Sequence, residues 1–271
     1  MIEPMSRNGT CTPPGVHPRS HRRGFSLIEL TVVVGIIATI AALAFSVLTS
    51  IRQRNATSMG PQQLAQALEY ARDEAFATGR DTLFVLVGNA GAADAYRCLG
   101  RTSGGWELSN VGVNDANISR CVRYWILQDN PGAPFDINAF DPNNVPRRRD
   151  TTTPQGDTVL AFDVLPGSLY LGRHPGYTPP AIPAASVFSP LNTMMAQDCS
   201  FCVNGPPPRG VIRFTARGEV RIGQPASPPP LGGGVIHLNA ADRQGRPVGD
   251  TRVVAILAPR GLITTRIAAT Q

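Results

Sequence analysis

Between Glu29 and Arg52 the chain runs for 22 residues, Leu30 to Ile51, without a charge. As an α-helix that run spans roughly 33 Å, against a bilayer core of roughly 30 Å, so it is long enough to cross one. No other segment of the 271 residues approaches that length. Residues 1–24, ahead of it, are polar, rich in Pro, Arg and His, and end in His21-Arg22-Arg23-Gly24. Arg52 and Arg54 follow closely, so the charge asymmetry across the run is modest. Three readings compete. One is a secretory signal peptide cleaved at Ala42-Leu43-Ala44, and another is a permanent anchor with its arginines on the cytoplasmic side. A buried soluble helix is the third, and the run is too long and too uniformly apolar for it.

Glu29 decides between them. A carboxylate costs on the order of 2.5–3.5 kcal/mol at the centre of a bilayer, and neither an ordinary signal peptide nor a plain anchor has a use for that cost. The residue asks for a partner, and a free α-amino group on Phe25, in its own chain or a neighbour's, would be one. The residues GFSLIELTVVVGIIATIAAL resemble the prepilin-type (class III) signal of type IV pilins and type II secretion pseudopilins. The resemblance implies that a prepilin peptidase cuts after Gly24 and N-methylates Phe25. It implies that Glu29, the fifth mature residue, guides each subunit into a filament. It further implies a removed leader, 1–24, and a transmembrane and filament-core helix, 25–51. The protein would then cross the cell inner membrane once, with its N-terminus cytoplasmic and its C-terminal domain periplasmic.

The helix is expected to continue as an amphipathic segment over 52–79. Leu64, Leu68, Ala71 and Ala75 recur at spacings that put them on one face. Gly60-Pro61 is expected to kink or interrupt it, and Gly79 to terminate it. Residues 80–271 read as a β domain. The chain's 27 Gly and 25 Pro argue against a mostly helical protein. Strand-like runs cover Asp81–Gly88, Cys121–Gln128, Thr158–Leu165 and Ser168–Gly172, the last two separated by the turn signal Pro166-Gly167. GVIRFTARGEVRIG reads as a hairpin around Ala216-Arg217-Gly218, and GGVIHLNA, DTRVVAILAP and GLITTRI as three more strands. Irregular insertions are expected near 129–157 and 173–209, because proline cannot donate to a sheet ladder. The fold class expected is α+β and pilin-like: a long N-terminal helix packed on an antiparallel β domain with Pro-rich insertions.

The VIRF strand, the Gly218 turn and RVVAILAPRGLITT are similar to the end of the GspH/FimT family, which holds the H-type minor pseudopilin of type II secretion. That resemblance implies a structural subunit of a periplasmic pseudopilus rather than an enzyme. Its partners would be other pseudopilins through the N-terminal helix, the prepilin peptidase, the inner membrane and exported proteins. The alternative is a minor pilin of a type IV pilus, serving pilus assembly or DNA uptake. Some relatives bind DNA through an arginine-containing motif near the C-terminus. The corresponding place here is Pro259-Arg260-Gly261-Leu262, with Arg266 beyond, and Leu262 stands where an arginine would be expected.

The remaining chemistry is sparse. Cys11 would leave with the leader, and Cys98, Cys121, Cys199 and Cys202 would face an oxidising compartment where disulfides form. Three connectivities are possible, and Cys98–Cys121 with a local Cys199–Cys202 is favoured. A redox role for Cys199-Ser200-Phe201-Cys202 lacks the usual βαβ setting, and zinc lacks a second close pair. After Gly24 only His174 and His237 remain, both read as surface or packing residues, so no catalytic residue, metal site or cofactor is expected. All 25 basic residues are arginines. Arg147-Arg148-Arg149, the densest cluster, reads as a solvated loop, and nucleic-acid binding there would show a steep salt dependence.

Overall fold

The computed structural model describes residues 27–89, 91–98, 116–179, 190–203, 205, 207–223, 233–257 and 261–268, with the side chains of 43–56, 116–117, 190–192 and 266–268 left aside. The chain divides into two compact units, Met1–Val47 and Leu48–Gln271. Helix α1 (Leu27–Thr78) begins in the first and ends in the second. Then follow β1 (Thr82–Val87), α2 (Ala92–Tyr96), α3 (Ala116–Ser119), β2 (Arg123–Gln128), β3 (Thr158–Val164) and β4 (Leu169–Leu171). The remainder is α4 (Pro190–Met195), β5 (Cys202–Val203), β6 (Arg209–Phe214), β7 (Val220–Ile222), β8 (Gly234–Ala241), β9 (Pro247–Leu257) and β10 (Leu262–Ala268). A helix followed by antiparallel sheets is the α+β arrangement expected from the sequence.

Helix α1 is continuous through Pro61, which corrects the expected interruption. The Gly60-Pro61 pair serves close packing instead. A methyl group built on Gly60 would lie 2.2 Å from Leu169 Cδ1, so any larger residue would require the buried Leu169 side chain to shift. Leu64, Leu68, Ala71 and Ala75 are fully buried, the face read from their spacing. Gly79, just past the end, takes φ +64°, a left-handed conformation open to glycine at little cost.

Among the described residues six strands form the first sheet, in the order β3-β2-β1-β6-β5 with β7 also on β6, and four form the second, β10-β9-β8-β4. Every pairing is antiparallel. The turn signal Pro166-Gly167 therefore does not close a hairpin: β3 ends in the first sheet and β4 begins in the second. The two sheets and α1 share one core, in which Leu64 and Leu68 meet Phe84, Ile126, Phe214, Ile236 and Val254.

The first sheet is buried on both faces. Phe84 and Leu86 of β1 face the shared core, while Leu83, Val85 and Val87 face a second cluster with Trp125, Leu127, Phe162 and Val211. Phe135, Ile137, Phe140 and Val145 close that cluster from the 129–157 insertion. Trp125 packs edge-on against Phe140, ring centroids 5.5 Å apart, and donates its indole N–H to the Pro146 carbonyl at 3.1 Å. The insertion is thus a covering layer with its own apolar anchors. Segment 173–209 also departs from the irregular course expected of it, because it contains α4 and β5.

Cys98 pairs with Cys121, and Cys199 with Cys202, the two pairs the sequence favours. Cys199 bridges to Ile236 of β8, and Cys202 pairs with Gly210 of β6. This four-residue loop therefore ties the second sheet to the first, with Phe201 seated against Gly210 and Gly234 between them. By loop-closure entropy, removing Cys98–Cys121 costs about 3 kcal/mol, and removing Cys199–Cys202 about 2 kcal/mol. Paired Cys→Ala substitutions are expected to lower the melting temperature in that order, measured by thermal denaturation. The reverse order would show that the short bridge holds the sheets together beyond its entropic effect.

Candidate functional site

The N-terminal end of α1 has the wrong surface for water. Every residue described with a side chain from Leu27 to Ala42 is exposed, and Ile28, Leu30, Val32, Val33, Val34, Ile36, Ile37 and Ile40 place apolar groups all around the helix. Thr31 donates its hydroxyl to the Ile28 carbonyl at 2.8 Å, and Thr39 donates to the Ile36 carbonyl at 2.8 Å. Both hydroxyls are turned back onto the helix, so the segment offers neighbours little but hydrocarbon. Glu29 is the exception, an exposed carboxylate in the first helical turn, where the helix dipole favours negative charge. Gly24 and Phe25 lie outside the described residues. Among the described residues no helix is long and apolar enough to cross a membrane, and side chains of the uncharged run are described only as far as Ala42.

Arg147 is not solvated, which corrects the loop reading of the triple arginine. It is 8% exposed, with its guanidinium 5.7 Å from the Phe162 ring centroid, whereas Arg148 and Arg149 are exposed and Arg149 faces Asp150 at 3.8 Å. Arg123 of β2 is also buried; it donates to the Ile118 carbonyl at 2.7 Å and lies 5.8 Å from the Trp125 ring centroid. Burial, then the charge of Arg147, lowers its pKa to about 10. These cations lend their flat, weakly hydrated faces to the aromatic layer over the first sheet. Sequence reasoning missed this, because a run of three arginines looks alike whether or not one is folded inward. In the C-terminal arginine motif, Pro259 and Arg260 and the Arg266 side chain lie outside the described residues. Gly261 takes φ +66°, and Leu262 is exposed.

At one end of the first sheet, Arg213 of β6 lies 3.4 Å from Asp129 and 3.9 Å from Asp81. Asp129 is buried, and its main-chain N–H donates to the Asp81 carbonyl at 2.9 Å. Burial, eased by Arg213 and reinforced by Asp157 and Asp81, pushes the Asp129 carboxyl up to about 6. Burial likewise raises Asp157, whose carboxylate accepts from the Asn130 N–H at 3.1 Å. The group ties the starts of β1 and β3 to the end of β2. Among the described residues, no three His, Cys, Asp or Glu side chains are placed to hold a metal ion.

His237 is fully buried on β8, beside Tyr177 with ring centroids 5.1 Å apart, while His174 is partly exposed and accepts from the Gly176 N–H at 3.0 Å. Burial lowers the His237 pKa to about 4. The nearby Gln197 and Asp198 backbone and the Asp198 charge offset part of that shift, and Arg173 adds to it. Asp129 and His237 then act in opposite senses. The raised Asp129 value favours the fold fully below its ordinary 3.8, and that contribution is lost as pH rises through about 6. The lowered His237 value favours the fold above its ordinary 6.5, and that contribution is lost as pH falls through about 4. Relative to the wild type, Asp129→Asn is expected to lose stability more steeply on acidification from about 6 to 4, and His237→Gln less steeply. Melting temperatures against pH check this, and parallel curves for all three proteins would contradict it.

Residues 19–45 match the family model described as the prokaryotic N-terminal methylation motif. No curated protein and no solved structure matches the chain. The matched segment contains Gly24, Phe25 and Glu29 together with the apolar start of α1. The chain therefore carries a prepilin-type signal, which supports a pilin-like subunit processed by prepilin peptidase and assembled with others of its kind.

Proposed function

We propose that the protein is a minor pseudopilin of a type II secretion system, a structural subunit of the periplasmic pseudopilus that helps export folded proteins. The observation that carries this reading is the helix Leu27–Ala42, apolar on every side and marked by Glu29. A helix that is apolar all round belongs in lipid or among other helices. A lone carboxylate at its start has a use where a neighbour's α-amino group can neutralise it. In this reading residues 1–24 are removed and Phe25 is methylated. Residues 25–51 then anchor the chain in the inner membrane until they enter the filament core. The β domain stands on the periplasmic side, where two disulfides are at home. There it contacts neighbouring subunits or exported proteins. Its work is mechanical and not catalytic. The GspH/FimT likeness of the VIRF and RVVAIL strands supports the minor-subunit assignment, and those segments lie in β6 of the first sheet and β9 of the second.

Crosslinking this protein in native membranes and identifying its partners by mass spectrometry tests the assignment. Type II pseudopilins and the secretion platform are the expected partners. Recovery of type IV pilus subunits instead would replace the reading with that of a minor pilin, and a DNA-binding titration against salt would follow. In the same experiment Glu29→Leu is expected to stay in the membrane while its crosslinks to other subunits fall at least tenfold. Unchanged crosslinking would remove Glu29 from assembly.

A further inference from the structure

The outer face of the second sheet gathers buried polar atoms. Ile236, Leu238 and Ala240 of β8 face the shared core, so Val235, His237, Asn239 and Ala241 face outward. Tyr170 of β4 is in register with Asn239 and also faces outward, since Leu169 and Leu171 join the shared core. The 172–177 segment lies over this face. Gly172 donates its N–H to the His237 carbonyl at 3.0 Å, His174 donates its N–H to Thr251 Oγ1 at 3.0 Å, and the Tyr177 ring lies tilted against His237. On the other flank the His237 N–H donates to the Asp198 carbonyl at 2.9 Å. The Arg173–Asp198 ion pair, at 3.0 Å, joins the two flanks.

Five side-chain atoms in this layer have no partner at good hydrogen-bond geometry among the described residues: Tyr170 Oη, Tyr177 Oη, Nδ2 of Asn239 and both ring nitrogens of His237, which the Gln197 and Asp198 backbone approaches without reaching that geometry. None of the four residues is more than 7% exposed. Buried polar atoms in native proteins are paired in roughly nine cases of ten, so five orphans on one sheet face point to a common partner. The chemistry of the layer limits what that partner is. Both tyrosines are held in the protonated form by burial, Asn239 offers donors, and His237 is neutral at physiological pH. The charged groups that reach these residues among the described ones, Arg173 and Asp198, form an ion pair at 3.0 Å. An ion is therefore not called for. A small neutral molecule that both donates and accepts is.

We propose that Tyr170, Tyr177, His237 and Asn239 enclose a buried water-binding site between the second sheet and the 172–177 segment. One buried water makes about three hydrogen bonds, so satisfying five atoms takes at least two waters, linked to each other. These waters fasten the covering segment to the sheet where side-chain contacts alone leave donors unpaired.

Tyr170→Phe and Tyr177→Phe in the full-length protein test this through the sign of the effect. A hydroxyl that holds shared water is missed, and each variant is expected to melt about 2–4 °C below the wild type. The double variant is expected to lose less than the sum, because both hydroxyls serve one water cluster. A variant that melts at or above the wild-type temperature would overturn the proposal, since deleting an unpaired buried hydroxyl relieves a penalty. Strictly additive losses would overturn it too, as they would assign the hydroxyls separate partners. Electron density from a crystal at solvent-revealing resolution gives the direct readout. Ordered water within 3.2 Å of at least two of the five atoms, roughly the outer limit of a hydrogen bond, is expected, and its absence would refute the site.

Discussion

An apolar helix surface that its own chain leaves exposed is the constraint around which this protein is organised. From Leu27 to Ala42 every side chain is exposed. Such a surface is untenable in water as an isolated element, because burying apolar area is the main favourable term in folding and association. The helix therefore requires a second medium or second copies of something like itself. In the proposed assembly Glu29 would make the requirement directional, since a carboxylate near one end of a hydrocarbon cylinder marks the end that a partner's positive charge would approach.

The β domain solves a separate problem with the other half of the same helix. From Gly60 onward α1 shows one buried face, Leu64, Leu68, Ala71 and Ala75, which enters the core shared by both sheets. Close approach at Gly60, the Cys199–Cys202 bridge between sheets and the charged group around Arg213 fix this arrangement at different points. The covering insertion explains why the strands of the first sheet are apolar without alternation. Thr82 to Val87 is buried at every position, as expected of a strand packed on both faces.

Much of this was legible in the sequence for physical reasons. The uncharged run, Glu29 and the small residues after them are local signals, readable without knowing any contact. The same holds for the β-branched runs and for Gly79 and Gly218, whose positive φ values of +64° and +82° suit turns. What was not legible depended on long-range choices. Pro166-Gly167 marks a turn, yet nothing local says that the chain leaves one sheet there for another. Pro61 lacks a backbone donor, yet the helix runs on because neighbouring packing holds it. Arg147 is indistinguishable in sequence from Arg148 until Phe162, folded from a distant strand, gives it a face to lie on. The polar layer around His237 has no sequence signature either, since its members come from β4, β8 and the loop between β4 and α4.

The proposed function depends on how the N-terminus is processed. Mass spectrometry of the N-terminal peptide, taken from the protein as it sits in its native membrane, measures this directly. A pilin-like subunit is expected to begin at Phe25 with a methyl group on its α-nitrogen and to retain the whole apolar helix. A chain that begins after Ala44, or one that keeps residues 1–24, would contradict it. The first result would mean an ordinary secreted β domain, and the second a plain membrane anchor.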